Sequence, residues 1–171
     1  MRNLRFIALL LTALPLLLPA APGGSEPFWI WHAGKRAKAD QLHARRQFHI
    51  SNRVHAADLL VAENSPAKFF LNGKPLPVEG GKVDVTSRLR LGRNVLAAQT
   101  RADPRRGFIA LLVVTLQSGQ TQLIATDRDW KIAVGEEPDW TALDFDDAKW
   151  EAAVMLAPHG AKPWGRVLSW D

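Results

Sequence analysis

The chain has 171 residues, 47% hydrophobic and 23% charged, with a formal net charge of +5 and no cysteine. This is the make-up of one ordinary globular domain able to bury a core, and it excludes long disorder as the main state. It also excludes disulfides, thiolate zinc sites, a thiol nucleophile and a lipid anchor on cysteine.

Residues 1–23 have the layout of a signal peptide that precedes the fold. Arg2 and Arg5 open it, Phe6 to Leu18 is an apolar run broken by Thr12 and Pro15, and small residues follow at Ala20, Ala21 and Gly23. The run falls short of the ~20 residues that span a bilayer, so no permanent membrane anchor is expected. Residues 24–171 are then a single exported domain, periplasmic or secreted, for which nucleic acid is a poor partner. Losing Arg2 and Arg5 leaves 20 Lys and Arg against 17 acids, a net charge of +3.

Phe28-Trp-Ile-Trp31 reads as the first strand, with Trp29 and Trp31 on one face and Phe28 and Ile30 on the other. Residues 33–40 read as a polar, basic loop or one helical turn. Leu42, Ala44, Phe48 and Ile50 alternate along a second strand in which Arg46 is a wet or salt-bridged member of the inner row. Val54 to Ala62 is a third strand, with Leu59 and Val61 on one face and Ala56, Leu60 and Ala62 on the other.

Asn72-Gly73 then predicts a tight hairpin, because a primed turn needs positive φ at both central residues. Gly80-Gly81 turns the chain into Val83 and Val85, and Gly92-Arg-Asn94 turns it into Val95 to Thr100, apolar enough for a buried central strand. Phe108 to Leu116 is a second such run, and Ser118-Gly119 makes a hairpin into Gln122–Ala125. Trp130 to Val134 is a short strand, 136–140 a loop, 144–150 one short helical turn, Ala152 to Ala157 the closing strand, and 159–171 a tail. Short strands punctuated every eight to twelve residues by turns predict an antiparallel β-sandwich.

Several of these segments together resemble one family. They are Ala56-Ala-Asp-Leu-Leu-Val, Phe69-Phe-Leu-Asn-Gly-Lys74, Val83-Asp-Val-Thr86 and Leu91-Gly-Arg-Asn-Val-Leu-Ala97. Gly107-Phe-Ile-Ala-Leu-Leu, Ala125-Thr-Asp127, Trp130-Lys131, Phe145-Asp-Asp147 with Trp150, and Pro163-Trp-Gly165 extend the likeness from about Phe28 to Gly165. The pattern is similar to the galactose-binding-like jelly-roll modules found beside the catalytic domains of β-galactosidases, β-glucuronidases and α-L-rhamnosidases. The resemblance implies an all-β, two-sheet antiparallel jelly-roll sandwich. It further implies a module that binds sugar, holds a structural calcium, or packs against a neighbouring enzyme.

Catalytic chemistry finds little support. Asp127 with Asp129, and Asp144, Asp146 and Asp147, are the carboxylates available for a glycosidase pair. They fall where acids act as turn makers and caps. No Gly-x-Ser-x-Gly elbow is present, and His43, His49 and His55 read as surface or pocket-rim histidines rather than metal ligands. No enzyme activity and no cofactor are expected, and calcium is compatible with the fold although no loop carries a dedicated calcium pattern.

Binding draws on seven tryptophans, with no tyrosine in the chain. Indole faces stack on the C–H faces of sugars, and Arg, Asp and Asn pair with hydroxyls. Trp130 and Trp150 match family positions that look like packing anchors, and at least one of Trp29 and Trp31 is expected in the core. Trp140, Trp164 and Trp170 are left as candidate exposed platforms. The loops expected to meet a ligand are 35–40, 101–107 and 135–140, where Arg105 and Arg106 would be hydrogen-bond forks.

Charge adds a further option. Lys35, Arg36, Lys38, Arg45, Arg46 and Arg53 face a single acid, Asp40, within 35–53, whereas 127–151 is rich in acids. These read as two solvated faces or, more sharply, as a basic patch for an anionic polymer such as a uronic-acid polysaccharide or lipopolysaccharide. The expected function is an exported, non-catalytic carbohydrate-binding module using Arg105, Arg106, Trp140 and Trp164. The alternative is a structural or protein-interaction module docking to a separate envelope or enzyme partner.

Overall fold

A computed structural model describes residues 26–34, 41–101 and 107–170. The expected leader at 1–23 lies outside these residues, as do Arg105 and Arg106. The described residues form twelve strands and one short 3-10 turn at Thr86–Arg88. The first six strands are β1 (Phe28–Trp31), β2 (Gln41–Ile50), β3 (Val54–Glu63), β4 (Lys68–Leu71), β5 (Lys74–Leu76) and β6 (Lys82–Asp84). The rest are β7 (Gly92–Arg101), β8 (Phe108–Leu116), β9 (Thr121–Ala125), β10 (Lys131–Val134), β11 (Glu151–Ala152) and β12 (Val154–Pro158).

They pair as two antiparallel sheets. One runs β12-β1-β8-β3-β6, with β9 also on β8, and the other runs β11-β10-β2-β7-β4-β5. The two strands expected to be buried and central, β7 and β8, are interior strands of different sheets, as a strand covered on both faces requires. The Asn72-Gly73 hairpin forms with φ of 52° and 81°, as its turn chemistry predicts. Asn72 does more than turn. Its Oδ1 accepts from Val95 N at 2.9 Å, and its Nδ2 donates to Asn94 Oδ1 at 2.9 Å and to Arg88 O at 3.1 Å. The hairpin is thereby fastened to the start of β7.

Between the sheets lies a core that includes Ile30, Trp31, Leu42, Phe69, Leu96, Leu112 and Trp130. Phe108 stands edge-on to both Phe69 and Trp130, with centroids 6.0 and 5.6 Å apart. Each such contact contributes about 0.5–1.5 kcal/mol beyond area burial. Trp130 satisfies its indole N–H on Ala125 O at 3.0 Å, which makes its complete burial tolerable. Arg46 breaks the inner row of β2 as expected, and pairs with Asp129 at 2.8 Å and Asp127 at 3.7 Å.

Three expectations are corrected. Trp29 and Trp31 do not join the same cluster, and the β1–β12 pairing shifts register between Trp29 and Ile30, with the extra residue on β12. Trp31 joins the inter-sheet core and Trp29 an outer cluster with Ile109, Leu111 and Leu168. The closing run splits at buried Ala153, so that Glu151–Ala152 pairs with β10 in one sheet and Val154–Pro158 with β1 in the other. Residues 144–150 make turns rather than a helical turn, with Asp146 Oδ1 accepting from Ala148 N at 2.9 Å.

Candidate functional site

Each sheet also buries part of its outer face, and that is where most of the tryptophans go. On the first sheet Trp164 of the tail stacks on Trp29, with centroids 4.7 Å apart and planes at 18°. On the second, the segment after β10 folds back and packs Trp140, Leu143, Phe145 and Trp150 over Val95 and Ala97 of β7. Trp140 is 8% exposed, stacked on His43 at 4.5 Å and edge-on to Phe70 at 5.4 Å. The expected platform Trp140 is therefore a buried packing residue, and Trp164 is half-buried against another indole. Trp170 is 38% exposed and leans on His159, with centroids 5.0 Å apart. His43, expected on the surface, is buried as well, and burial holds its pKa below the ordinary value.

The fold-back is held by Arg45, which points away from the inter-sheet core and is 0% exposed. Its Nε donates to Asp147 at 3.0 Å. Nη1 donates to the carbonyls of Trp140 and, at 3.0 Å, Ala142, and Nη2 to that of Phe145 at 3.4 Å. The guanidinium carbon lies 4.9 Å from the centre of the Phe145 ring. A planar fork with several donors suits a chain segment that presents carbonyls in succession. Arg45 and Arg46 therefore have internal partners and are taken out of the basic patch that the composition of 35–53 implied. Its Lys35, Arg36 and Lys38 lie outside the described residues.

Beside this segment is a groove of about 510 Å³, within the size range of small-ligand sites. It is lined by His32 and Gly34 after β1, by Ile132, Ala133 and Val134 of β10, and by Glu137, Phe145, Asp146, Lys149, Trp150 and Glu151. The edge of β10 is open here, since β11 pairs only with Lys131 and Ile132 while β2 covers the other edge through to Val134. Phe145 and Trp150 meet edge-to-face at 5.4 Å. His32 Nδ1 accepts from Gly34 N at 3.1 Å, which puts the proton of the neutral ring on Nε2. That Nε2 is buried and without a partner among the described residues. Burial lowers the His32 pKa, against the opposing pull of Glu151.

The sequence pointed to loop 135–140, which contributes Glu137 to the groove, but not to His32, Phe145, Lys149 or Trp150 as a lining. The signal was the Phe145-Asp-Asp147…Trp150 segment, whose role depends on a buried arginine a hundred residues away. Asp127 has an Asx-type contact to Asp129 N at 2.8 Å, the turn role expected of it. Burial raises its pKa, and the Arg46 guanidinium works against that rise. Among the described residues no group of three or more His, Asp or Glu side chains is placed to hold a metal ion.

Two facing antiparallel sheets with loop-built grooves at the rim define a β-sandwich domain of the galactose-binding-like type. It matches a domain found in α-L-rhamnosidases. The chain is 30% identical to an α-L-rhamnosidase of Streptomyces avermitilis, across 90% of this chain and 16% of that protein. The crystal structure of the Streptomyces avermitilis α-L-rhamnosidase complexed with L-rhamnose superposes with a TM-score of 0.72 at 31% identity, over 82% of this chain and 15% of that one. The lectin from Pleurotus ostreatus in complex with GalNAc shares the fold, with a TM-score of 0.66 at 21% identity over 81% of this chain and 44% of the lectin. No known family profile matches the chain. It thus spans about one sixth of the length of the rhamnosidase it matches.

Proposed function

We propose that this chain is a non-catalytic, exported carbohydrate-binding domain, and that its sugar sits in the groove between β10 and the 137–151 segment. The observation that carries this reading is the groove's lining. Half-buried Phe145 supplies apolar surface for a pyranose face, with Trp150 packed behind it, and Asp146, Glu137, Glu151 and the buried His32 Nε2–H supply hydroxyl partners. The likeness to the rhamnosidase domain and to a lectin supports it at the level of fold.

The test is a glycan array with the full chain, followed by titration of each hit against Glu137→Ala and Lys149→Ala. Loss of affinity at unchanged melting temperature supports the groove. Hits bound equally by both variants, or no hits at all, refute it. Export is tested separately, by fractionation of cells and by N-terminal sequencing of the exported protein.

A second reading has its own observation. Val154 and Leu156 are exposed on β12, an edge strand, and Val167 and Trp170 are exposed in the tail that follows. An apolar sheet edge suits docking to a separate polypeptide, such as a glycosidase catalytic domain. Co-purification that is lost in Val154→Lys/Leu156→Lys, with glycan binding absent, would favour it.

A further inference from the structure

Resting on the groove as a sugar site, we propose that it selects glycans bearing free amino groups over neutral ones, and rejects uronates and sulfated sugars. The chain as a whole is basic, at +5. The groove is not. Three carboxylates, Glu137, Asp146 and Glu151, line it against one ammonium, Lys149.

Among the nine acids of 127–151, two groups decide the charge of the groove. Asp127, Asp129 and Asp147 are matched by Arg45 and Arg46. Glu137, Asp146 and Glu151 have no ion pair among the described residues, although Asp146 caps Ala148 N through one oxygen. Arg45 and Arg46 are thus taken up by other acids, and the three carboxylates that line the groove keep their charge there.

Recognition then follows from donor and acceptor counts. A carboxylate accepts hydrogen bonds and donates none, so it suits hydroxyls and suits an ammonium better. An anionic sugar would bring like charges together within a Debye length, a repulsion that added salt weakens. Phe145 and the open β10 edge fit the ring itself, without regard to charge. Shape therefore admits a pyranose and charge selects among pyranoses.

The experiment uses the full chain and three oligosaccharides of equal length, titrated calorimetrically at low and at physiological salt. They are a fully deacetylated glucosamine oligomer, its N-acetylated counterpart, which is neutral, and an oligogalacturonate. The amino oligomer is expected to bind about five- to tenfold more tightly than the acetylated one at low salt, an advantage that shrinks as salt is added. In Glu137→Gln/Asp146→Asn/Glu151→Gln the amino and acetylated oligomers should bind equally, whatever affinity each loses relative to the unaltered chain. Equal binding of the amino and acetylated oligomers, or an advantage that survives in the triple variant, overturns the selectivity and leaves the sugar site standing. Tighter binding of the uronate does the same. No binding of any of the three, with oligolysine captured instead, overturns the sugar site as well and identifies the acids as a peptide-docking surface.

Discussion

Replacing Arg45 by methionine keeps an unbranched apolar stem about as far as Nε and removes the guanidinium fork. Asp147, with a side chain 13% exposed, would then keep only Gln47 Nε2 at 3.2 Å as a side-chain partner among the described residues. The carbonyls of Trp140 and Phe145 would lose the donor that reaches them. Breaking a buried ion pair from one side costs about 3–5 kcal/mol, because the remaining charge keeps its desolvation penalty and loses its attraction. Against a total stability of ~5–15 kcal/mol this is a large loss. At about 2–4 °C per kcal/mol, the melting midpoint should fall by on the order of 10 °C.

Asp147→Asn should cost less, about 1–2 kcal/mol, since the three carbonyls retain their donors and only the charge assistance is lost. The assay is urea unfolding followed by tryptophan fluorescence, with Trp140 and Trp150 reporting on this face. A cost below ~1 kcal/mol for Arg45→Met, or a larger cost for Asp147→Asn than for Arg45→Met, would refute the account of Arg45 as the pin of this segment.

Three further outcomes are expected. Asn94→Ala removes a fully buried amide that accepts from Arg90 N and Asn72 Nδ2 and donates to Arg90 O and Gly92 O, and should cost about 2–3 kcal/mol in urea unfolding. Gly81→Ala should cost clearly more than Gly119→Ala. Both have φ near +80°, worth ~1–2 kcal/mol to an L residue, but a Cβ on Gly81 would sit 2.8 Å from Val61 O while one on Gly119 meets open space. Equal melting temperatures for the two variants would contradict this. His32, His43 and His159 all have pKa values lowered first by burial, so the unfolded chain binds protons that the folded one refuses. Stability should be complete above the ordinary histidine pKa of 6.5 and fall as pH drops below it, and His43→Gln should flatten that fall in melts between about pH 5 and 7.

The strands were legible because their causes are local. Alternation and turn residues placed the Asn72-Gly73 hairpin, the Ser118-Gly119 hairpin and the central strands β7 and β8 without reference to anything distant. The salt-bridged Arg46 was legible too, as the one charge in an otherwise apolar row. The β1 bulge was not, since nothing in Phe-Trp-Ile-Trp says that its partner strand will carry the extra residue.

The tryptophans show the limit most clearly. Their number signals stacking, but whether an indole stacks on a sugar or on its own protein depends on which segment folds over which face. By itself the amino-acid sequence determined the sheet-forming pattern, the turns and the inner rows of the strands, because backbone propensity and period-two patterning act over a few residues. Only the tertiary structure decided that Arg45 reaches carbonyls some hundred positions away, that Trp140 is covered and Trp164 stacked on Trp29, and that the groove is acidic in a basic chain. Those outcomes depend on juxtapositions between segments far apart in the chain, for which no local rule exists.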